Sequence, residues 1–219
     1  LQYLLKRKCL FLKKRYVSKQ GNMMTYNHKN AVPYRPSDDS FLLLDSVKNL
    51  KTGIAVDVGT GAGFIAINIA GNCDFVIGTD IDFGSIREAR DSIRNKKIHN
   101  IDLIVCDLIS VLKDSSVDLV IFNPPYLPSD EYKTDIDMQT LQFYGKSDVI
   151  ARFIIDARRV LTHYGLCYVV YSSLTDVQEM MKNARTLFNS VEVVAEKSFF
   201  FERLYVVKFS LDEHSVTRS

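Results

Sequence analysis

Asn123-Pro124-Pro125-Tyr126 is the run of this sequence whose residue types bear most directly on chemistry. The Asn123 side-chain oxygen and the Pro124 carbonyl are two hydrogen-bond acceptors one residue apart. A planar amide or exocyclic amino nitrogen is a poor nucleophile because its lone pair is delocalised. Two acceptors holding its N–H hydrogens would turn that lone pair toward an electrophilic carbon. Pro124 and Pro125 stiffen the turn, and Tyr126 can stack on the planar group. The arrangement suits methylation of such a nitrogen, with no general base needed before transfer. An isolated Pro-Pro turn closing a strand, with Tyr126 as a packing residue, is the plain structural alternative.

Upstream stands Asp57-Val58-Gly59-Thr60-Gly61-Ala62-Gly63. Glycines at this spacing let the chain turn tightly and a ligand approach its backbone. The pattern is GxGxG. The dinucleotide fingerprint GxGxxG is not met, because Phe64 occupies its last position, and a bulky residue there argues against a pyrophosphate. Asp80 is placed to accept from ribose hydroxyls and Asp107 from an adenine amino group. A glycine loop and two acids on three successive strands suit an adenosine without phosphates, and nearby carboxylates tolerate a sulfonium. The expected cofactor is S-adenosylmethionine. The expected contacts are Asp57, Gly59, Thr60, Gly61, Gly63, Asp80, Ile81, Asp107, Leu108 and Asn123, with Asn123, Pro124, Pro125 and Tyr126 holding the substrate. Asp82 reads as a helix N-cap.

The elements that must position these residues alternate. Strands are expected at Ile54–Val58, Phe75–Thr79, Ile101–Cys106, Val117–Phe122, Leu166–Tyr171, Val191–Glu196 and Leu204–Phe209. Helices are expected at Phe41–Leu50, Phe64–Ala70, Gly84–Lys97, Ser147–Leu161 and Leu174–Phe188. This predicts an α/β, Rossmann-like fold of the class I S-adenosylmethionine-dependent methyltransferase type. Its seven-stranded, mostly parallel sheet should end in an antiparallel edge hairpin, because no helix separates the last two strands. Ligands in such sheets sit beyond the carboxyl ends of the strands, where these polar residues fall.

Bulk composition is that of a globular domain, 47% hydrophobic and 25% charged over 219 residues. The net charge of +2 hides an asymmetry: residues 1–30 hold eight Lys or Arg and no acid, and the rest carries 20 basic against 26 acidic residues. We therefore divide the chain into a basic N-terminal extension, 1–30, and a catalytic domain, 31–219. An acidic body is poorly suited to gripping phosphate backbones. Cys9, Cys73, Cys106 and Cys167 are scattered, without metal-ligand spacing, so no metal site is expected and a cytoplasmic setting is. No run approaches the length needed to span a bilayer, so no membrane association is expected.

The sequence from about Val32 to Phe209 resembles the HemK-type protein-glutamine N5-methyltransferases. It is most similar to the archaeal and eukaryotic branch that modifies class I translation termination factors. The resemblance rests on Tyr34 to Leu43, the Asp57–Gly63 loop, Asp80, Asp107, Asn123–Tyr126, Ser172-Ser173-Leu174 and Phe201-Glu202-Arg203-Leu204. It implies that Asp57, Gly59, Gly61, Asp80 and Asp107 surround the cofactor. It also implies that Asn123, Pro124 and Tyr126 hold the glutamine amide of a Gly-Gly-Gln tripeptide in a class I release factor. A small zinc-binding activator protein, covering an apolar sheet edge, is a partner of this branch. Gln142 to Asp148, with one glycine, stands where relatives carry a Trp and a Gly-Gly-x-x-Gly run. The rival substrates are adenine or guanine amino groups of nucleic acid, which share the chemistry. Against them, Asp130, Glu131, Asp135 and Asp137 surround a single Lys133 beside the motif. The sequence is also weighed against a nicotinamide-dependent oxidoreductase, which shares the doubly wound fold, and a non-catalytic cofactor-binding protein. The unmet GxGxxG pattern counts against the first, and the intact Asn123 and Tyr126 against the second.

Overall fold

The computed structural model describes residues 36–124, 146–174 and 177–212. Its elements are α1 (Asp38–Val47), β1 (Thr52–Val58), α2 (Phe64–Ile69), β2 (Cys73–Asp80), α3 (Phe83–Asn95), β3 (Ile101–Val105), β4 (Val117–Phe122), α4 (Lys146–Val160), β5 (Leu161–Ser172), α5 (Val177–Arg185), β6 (Ser190–Ser198) and β7 (Arg203–Ser210). They form one seven-stranded sheet in the order β3-β2-β1-β4-β5-β7-β6. Strands β1 to β5 run parallel, whereas β7 is antiparallel to both β5 and β6. The last hairpin therefore inserts β7 beside β5 and leaves β6 at the edge. The class I methyltransferase architecture read from the sequence is the one observed.

The central strands β1, β4 and β5 are covered on both faces, which is why they read as near-continuous apolar runs. Along β1 the side chains alternate between two cores. Val56 and Val58 join Val120, Phe122, Val169, Phe153 and Ile154 of α4, and Met180 and Met181 of α5. Ala55 joins Ile121, Val170, Leu43 and Val47 of α1, and Ile65 and Ile69 of α2. Phe153 is fully buried, so truncating it to Ala would cost about 3–5 kcal/mol. Asp118 ties three strands together: its carboxylate accepts from the Ile54 N–H of β1 at 2.9 Å and from the Thr162 hydroxyl of β5 at 3.0 Å.

Some boundaries differ from the sequence expectation. Helix α1 begins at Asp38, with Ser37 at its N-cap and Asp38 and Asp39 in the acidic first turn that Ser37-Asp38-Asp39 signals in the sequence, and it stops at Val47, three residues before the expected Leu50. Strand β5 begins at Leu161, directly after α4, not at Leu166. Its register against β4 jumps from Val117↔Leu161 to Leu119↔Leu166. Gly165 closes that irregularity, because a Cβ there would stand 2.7 Å from Leu161 Cδ2. Strand β3 stops at Val105, leaving Cys106 and Asp107 in a bend. Residues 1–30, Pro125, Tyr126 and the acidic run Asp130–Asp137 lie outside the described residues.

Candidate active site

The order of strands in the sheet reverses between β1 and β4, and register places the two motifs side by side there. Val58 pairs with Phe122, so Gly59 and Asn123 are each the first residue beyond neighbouring strand ends. On the other side Val58 pairs with Thr79, which brings Asp80 next to the same loop. Asp80 pairs with Val105, setting Asp107 two residues beyond it. The carboxyl ends of β3, β2, β1 and β4 thus carry Asp107, Asp80, the glycine loop and Asn123 in spatial sequence.

The loop is shaped by its own side chains. Asp57 is 3% exposed, and its Oδ2 accepts from the Thr60 hydroxyl at 2.7 Å and from the Ala66 N–H at 3.0 Å. Burial pushes the Asp57 carboxyl up to about 7, against the lowering effect of those two bonds, with the nearby Asp80 charge adding slightly. Thr60 is held by backbone too: its N–H donates to Thr79 O, and its carbonyl accepts from the Gly63 N–H. The Thr60 side chain therefore braces the loop through Asp57. Gly59, Gly61 and Gly63 all have positive φ, at 64°, 53° and 85°. A Cβ on Gly61 would meet no atom within 4 Å, so the space over the loop is open to a ligand, whereas one on Gly63 would press on Ala89 at 3.3 Å. Gly61 thus leaves room for a ligand, and Gly63 leaves room for α3.

Asp80 caps the loop from the side. Its Oδ2 accepts from the Gly61 N–H at 3.0 Å and its Oδ1 from the Asp82 N–H at 2.9 Å. Burial raises its pKa, and those backbone bonds oppose the rise. Each carboxylate oxygen has two lone pairs, so capacity remains for a diol. Ile81 is 73% exposed, an apolar surface fit to lie against an adenine ring. Asp82 caps α3 by accepting from the Ser85 N–H at 2.8 Å.

Two neighbours of these residues were not legible in the sequence. Asp107 is held by Arg152 of α4, whose guanidinium donates to both carboxylate oxygens at 2.8 and 3.3 Å. Asp107, Leu108, Ser110, Arg152, Ile155 and Asp156 line a shallow cavity of about 200 Å³. Leu108 has a φ of 50°, which marks a sharp turn after β3. Ser40 of α1 accepts a hydrogen bond from Asn123 Nδ2 at 3.1 Å. Pro124, next in the chain, is buried. Two bonds join the ends of β5 and β7: the Ser173 N–H donates to the Arg203 carbonyl, and the Arg203 N–H donates to Ser173 Oγ at 2.9 Å.

An open glycine cradle, a carboxylate with acceptor capacity to spare and an exposed apolar platform fit S-adenosylmethionine. No cluster of His, Cys, Asp and Glu able to hold a metal occurs among the described residues, and no described helix is long and apolar enough to cross a membrane.

Comparison with known proteins agrees with this geometry. Residues 35–201 match the model of the methyltransferase small domain. A Methanocaldococcus jannaschii protein with a provisional assignment as a protein N5-glutamine methyltransferase is 29% identical over 178 residues, covering 80% of this chain and 89% of that protein. Methyltransferase HEMK2 of Homo sapiens is 27% identical over 191 residues, covering 81% and 89%. Among solved structures, the E. cuniculi Mtq2-Trm112 complex, described as responsible for methylating the eRF1 translation termination factor, superposes with a TM-score of 0.61. It is 24% identical and covers 82% of this chain and 98% of that one. Other solved neighbours of the fold hold S-adenosylmethionine or its demethylated product. The chain belongs to the methyltransferase small domain family, and its cofactor is S-adenosylmethionine.

Proposed function

We propose that this methyltransferase modifies the glutamine side-chain amide of the Gly-Gly-Gln tripeptide in a class I translation termination factor. The observation that carries the reading is the adjacency of Asn123 and the glycine loop across the β1–β4 register, which sets an amide-holding motif against the methyl donor's cradle. When bound, S-adenosylmethionine supplies an electrophilic methyl carbon on a positively charged sulfur. The Asn123 side-chain oxygen and the Pro124 carbonyl accept the two amide hydrogens and orient the nitrogen lone pair. Tyr126 covers the planar amide. Asp80 holds the ribose hydroxyls, and Asp107, kept in place by Arg152, holds the adenine amino group.

A protein substrate accords with the charge around the site. Lys197 and Arg152, two cations at this end of the sheet, are already engaged by Asp38 at 2.6 Å and Asp107 at 2.8 Å. They do little to attract a phosphate backbone. We also propose a small zinc-binding activator along the open edge of β3, where Val105 is 47% exposed and Phe83 of the neighbouring α3 is exposed as well.

The test is transfer of labelled methyl from S-adenosylmethionine to a recombinant termination factor, to its Gln→Ala variant, and to tRNA and DNA, each with and without the activator. Label on the intact factor alone is the expected result. Label on nucleic acid alone overturns the substrate assignment. Asn123→Ala should abolish transfer while leaving cofactor affinity within about twofold, since it removes an acceptor that holds and orients the substrate amide. Full activity in Asn123→Ala would refute the catalytic geometry.

A further inference from the structure

We propose that the exposed phenylalanine tip of the β6–β7 hairpin docks the protein substrate, seating in an apolar pocket of the termination factor outside its Gly-Gly-Gln tripeptide. The inference rests on the reading of a protein substrate given above and adds a surface that recognises the folded factor. Phe199, Phe200 and Phe201 follow one another in the connection between the two strands. Phe200 is 91% exposed and Phe201 85%, and their rings meet edge-on at 4.5 Å. Neither side chain is needed to close the turn, because the Phe199 N–H donates to the Glu202 carbonyl at 2.7 Å. Single exposed apolar residues are ordinary. Two adjoining aromatic side chains together present roughly 300 Å², the size of patch that marks a contact site, and phenylalanine is enriched at interface cores.

Strand direction puts the tip at the reacting end of the sheet. Strand β7 is antiparallel to β5, with Leu204 paired to Ser172, so the residues before Arg203 lie beyond the carboxyl end of β5. Phe122 pairs with Val169, so Asn123 stands level with Val170, and Ser172 is two residues farther out. Two strand spacings, about 10 Å, separate β4 from β7. The tip therefore stands beside Asn123 and farther out than it. Exposed Leu174, next after Ser173 at the end of β5, extends the apolar surface toward the site. The first turn of α1 joins the two: Lys197 Nζ lies 5.3 Å from the centre of the Phe199 ring and 2.6 Å from Asp38, and Ser40 bonds Asn123 at 3.1 Å. A folded protein that sets an amide against Asn123 must lie over this end of the sheet, with the tip in its path. A stable dimer interface takes roughly 800 Å² from each partner, well above what the tip offers. The tip is thus one anchor of a contact whose continuation is the site, and its convex shape suits a pocket on a macromolecule.

The test uses the full chain and the recombinant termination factor. Phe200→Ser combined with Phe201→Ser should raise the KM for the factor about tenfold or more, the effect of losing buried aromatic anchors. The kcat at saturating factor and the KM for S-adenosylmethionine should stay within about twofold, because neither residue touches the reacting groups. Phe200→Tyr combined with Phe201→Tyr keeps both rings and should keep most of the affinity. An unchanged KM in the serine variant overturns the docking role and leaves methylation of the factor standing. Failure of the parent to label the factor overturns the substrate reading and the docking role with it. Occupancy is read directly with Phe200→Cys, alkylated and followed by mass on the peptide that carries position 200. Alkylation should be fast in the free chain and slow several-fold when the factor is added with S-adenosylhomocysteine. Slow alkylation in the free chain means that the tip is covered by this chain or by a second copy, and overturns the proposal. Alkylation that the factor leaves unchanged overturns it as well.

Discussion

Replacing Asp57 by Asn should raise stability above neutral pH and flatten its dependence on pH. Asp57 is 3% exposed, and its carboxyl is pushed up to about 7 from an ordinary value of 3.8, chiefly by burial. Below the ordinary value both folded and unfolded chains hold the proton. Between 3.8 and about 7 the unfolded chain has released it and the folded chain keeps it. Stability conferred by that proton is therefore full at low pH, falls as pH rises through this window, and is gone above it. A difference of about three units corresponds to about 4 kcal/mol as an upper limit. Water entry and relaxation soften burial penalties, so about 2 kcal/mol is the working figure. Both observed hydrogen bonds fall on the single oxygen Oδ2, so an Asn carbonyl can accept from Thr60 and Ala66 in its place. Urea unfolding of the parent and of Asp57→Asn at pH 5, 6, 7 and 8 checks this. The parent should lose about 2 kcal/mol across the series. The variant should lose less and be the more stable at pH 8, by about 5 °C in Tm. A residual slope belongs to Asp80, whose pKa burial also raises. A flat profile for the parent, or an equally steep one for the variant, would show that the buried proton is not what sets the pH dependence.

Two further outcomes separate the cofactor cradle from the scaffold. In Gly61→Ala a residue with φ 53° gains a methyl that meets no protein atom within 4 Å. Stability should fall by only about 1–2 kcal/mol, but calorimetry should show affinity for S-adenosylmethionine reduced tenfold or more, since the methyl stands in the ligand's approach. Asp80→Ala removes the acceptor of the Gly61 and Asp82 N–H groups along with the proposed ribose partner. Hydrogen bonds to a charged group contribute about 1.5–3 kcal/mol, so the dissociation constant should rise roughly ten- to a hundredfold. Equal affinity in the parent and Asp80→Ala would place the ribose elsewhere.

The middle of the sheet is legible in the sequence because β1, β2 and β4 are largely buried apolar runs that stop abruptly at Gly, Asp or Asn. Val58-Gly59 and Phe122-Asn123 mark ends that the structure keeps to the residue. The start of β5 is hidden because Leu161 to Gly165 neither alternates cleanly nor follows a turn signal, and α4 runs into it without a connector. Ser37-Asp38-Asp39 marks the start of α1 as a cap and an acidic first turn, whereas the apolar run that follows overshoots its end at Val47. Local contacts such as the Asp82 cap can be read from adjacent residues. The Arg152–Asp107 pair and the Ser40–Asn123 bond cannot, because they join positions 45 and 83 apart and no pattern in either segment points to the other. Thr60 stands between two glycines, which suggests a cofactor contact, yet its hydroxyl is committed to Asp57.

The sequence separations of these bonds imply an order of assembly. Thr60 and Ala66 reach Asp57 across 3 and 9 residues, and Gly61 reaches Asp80 across 19. The glycine loop and its Asp80 brace are thus nearly local, in place once two strands and the loop between them have met. The bond between Asn123 and Ser40 requires a segment 83 residues away to have docked on the sheet. Closing that longer loop costs more chain entropy and comes later in folding. In a refolding chain the ribose side of the cradle would then stand ready first, while the adenine side waits for Arg152 to reach Asp107 and the first helix has still to find its seat.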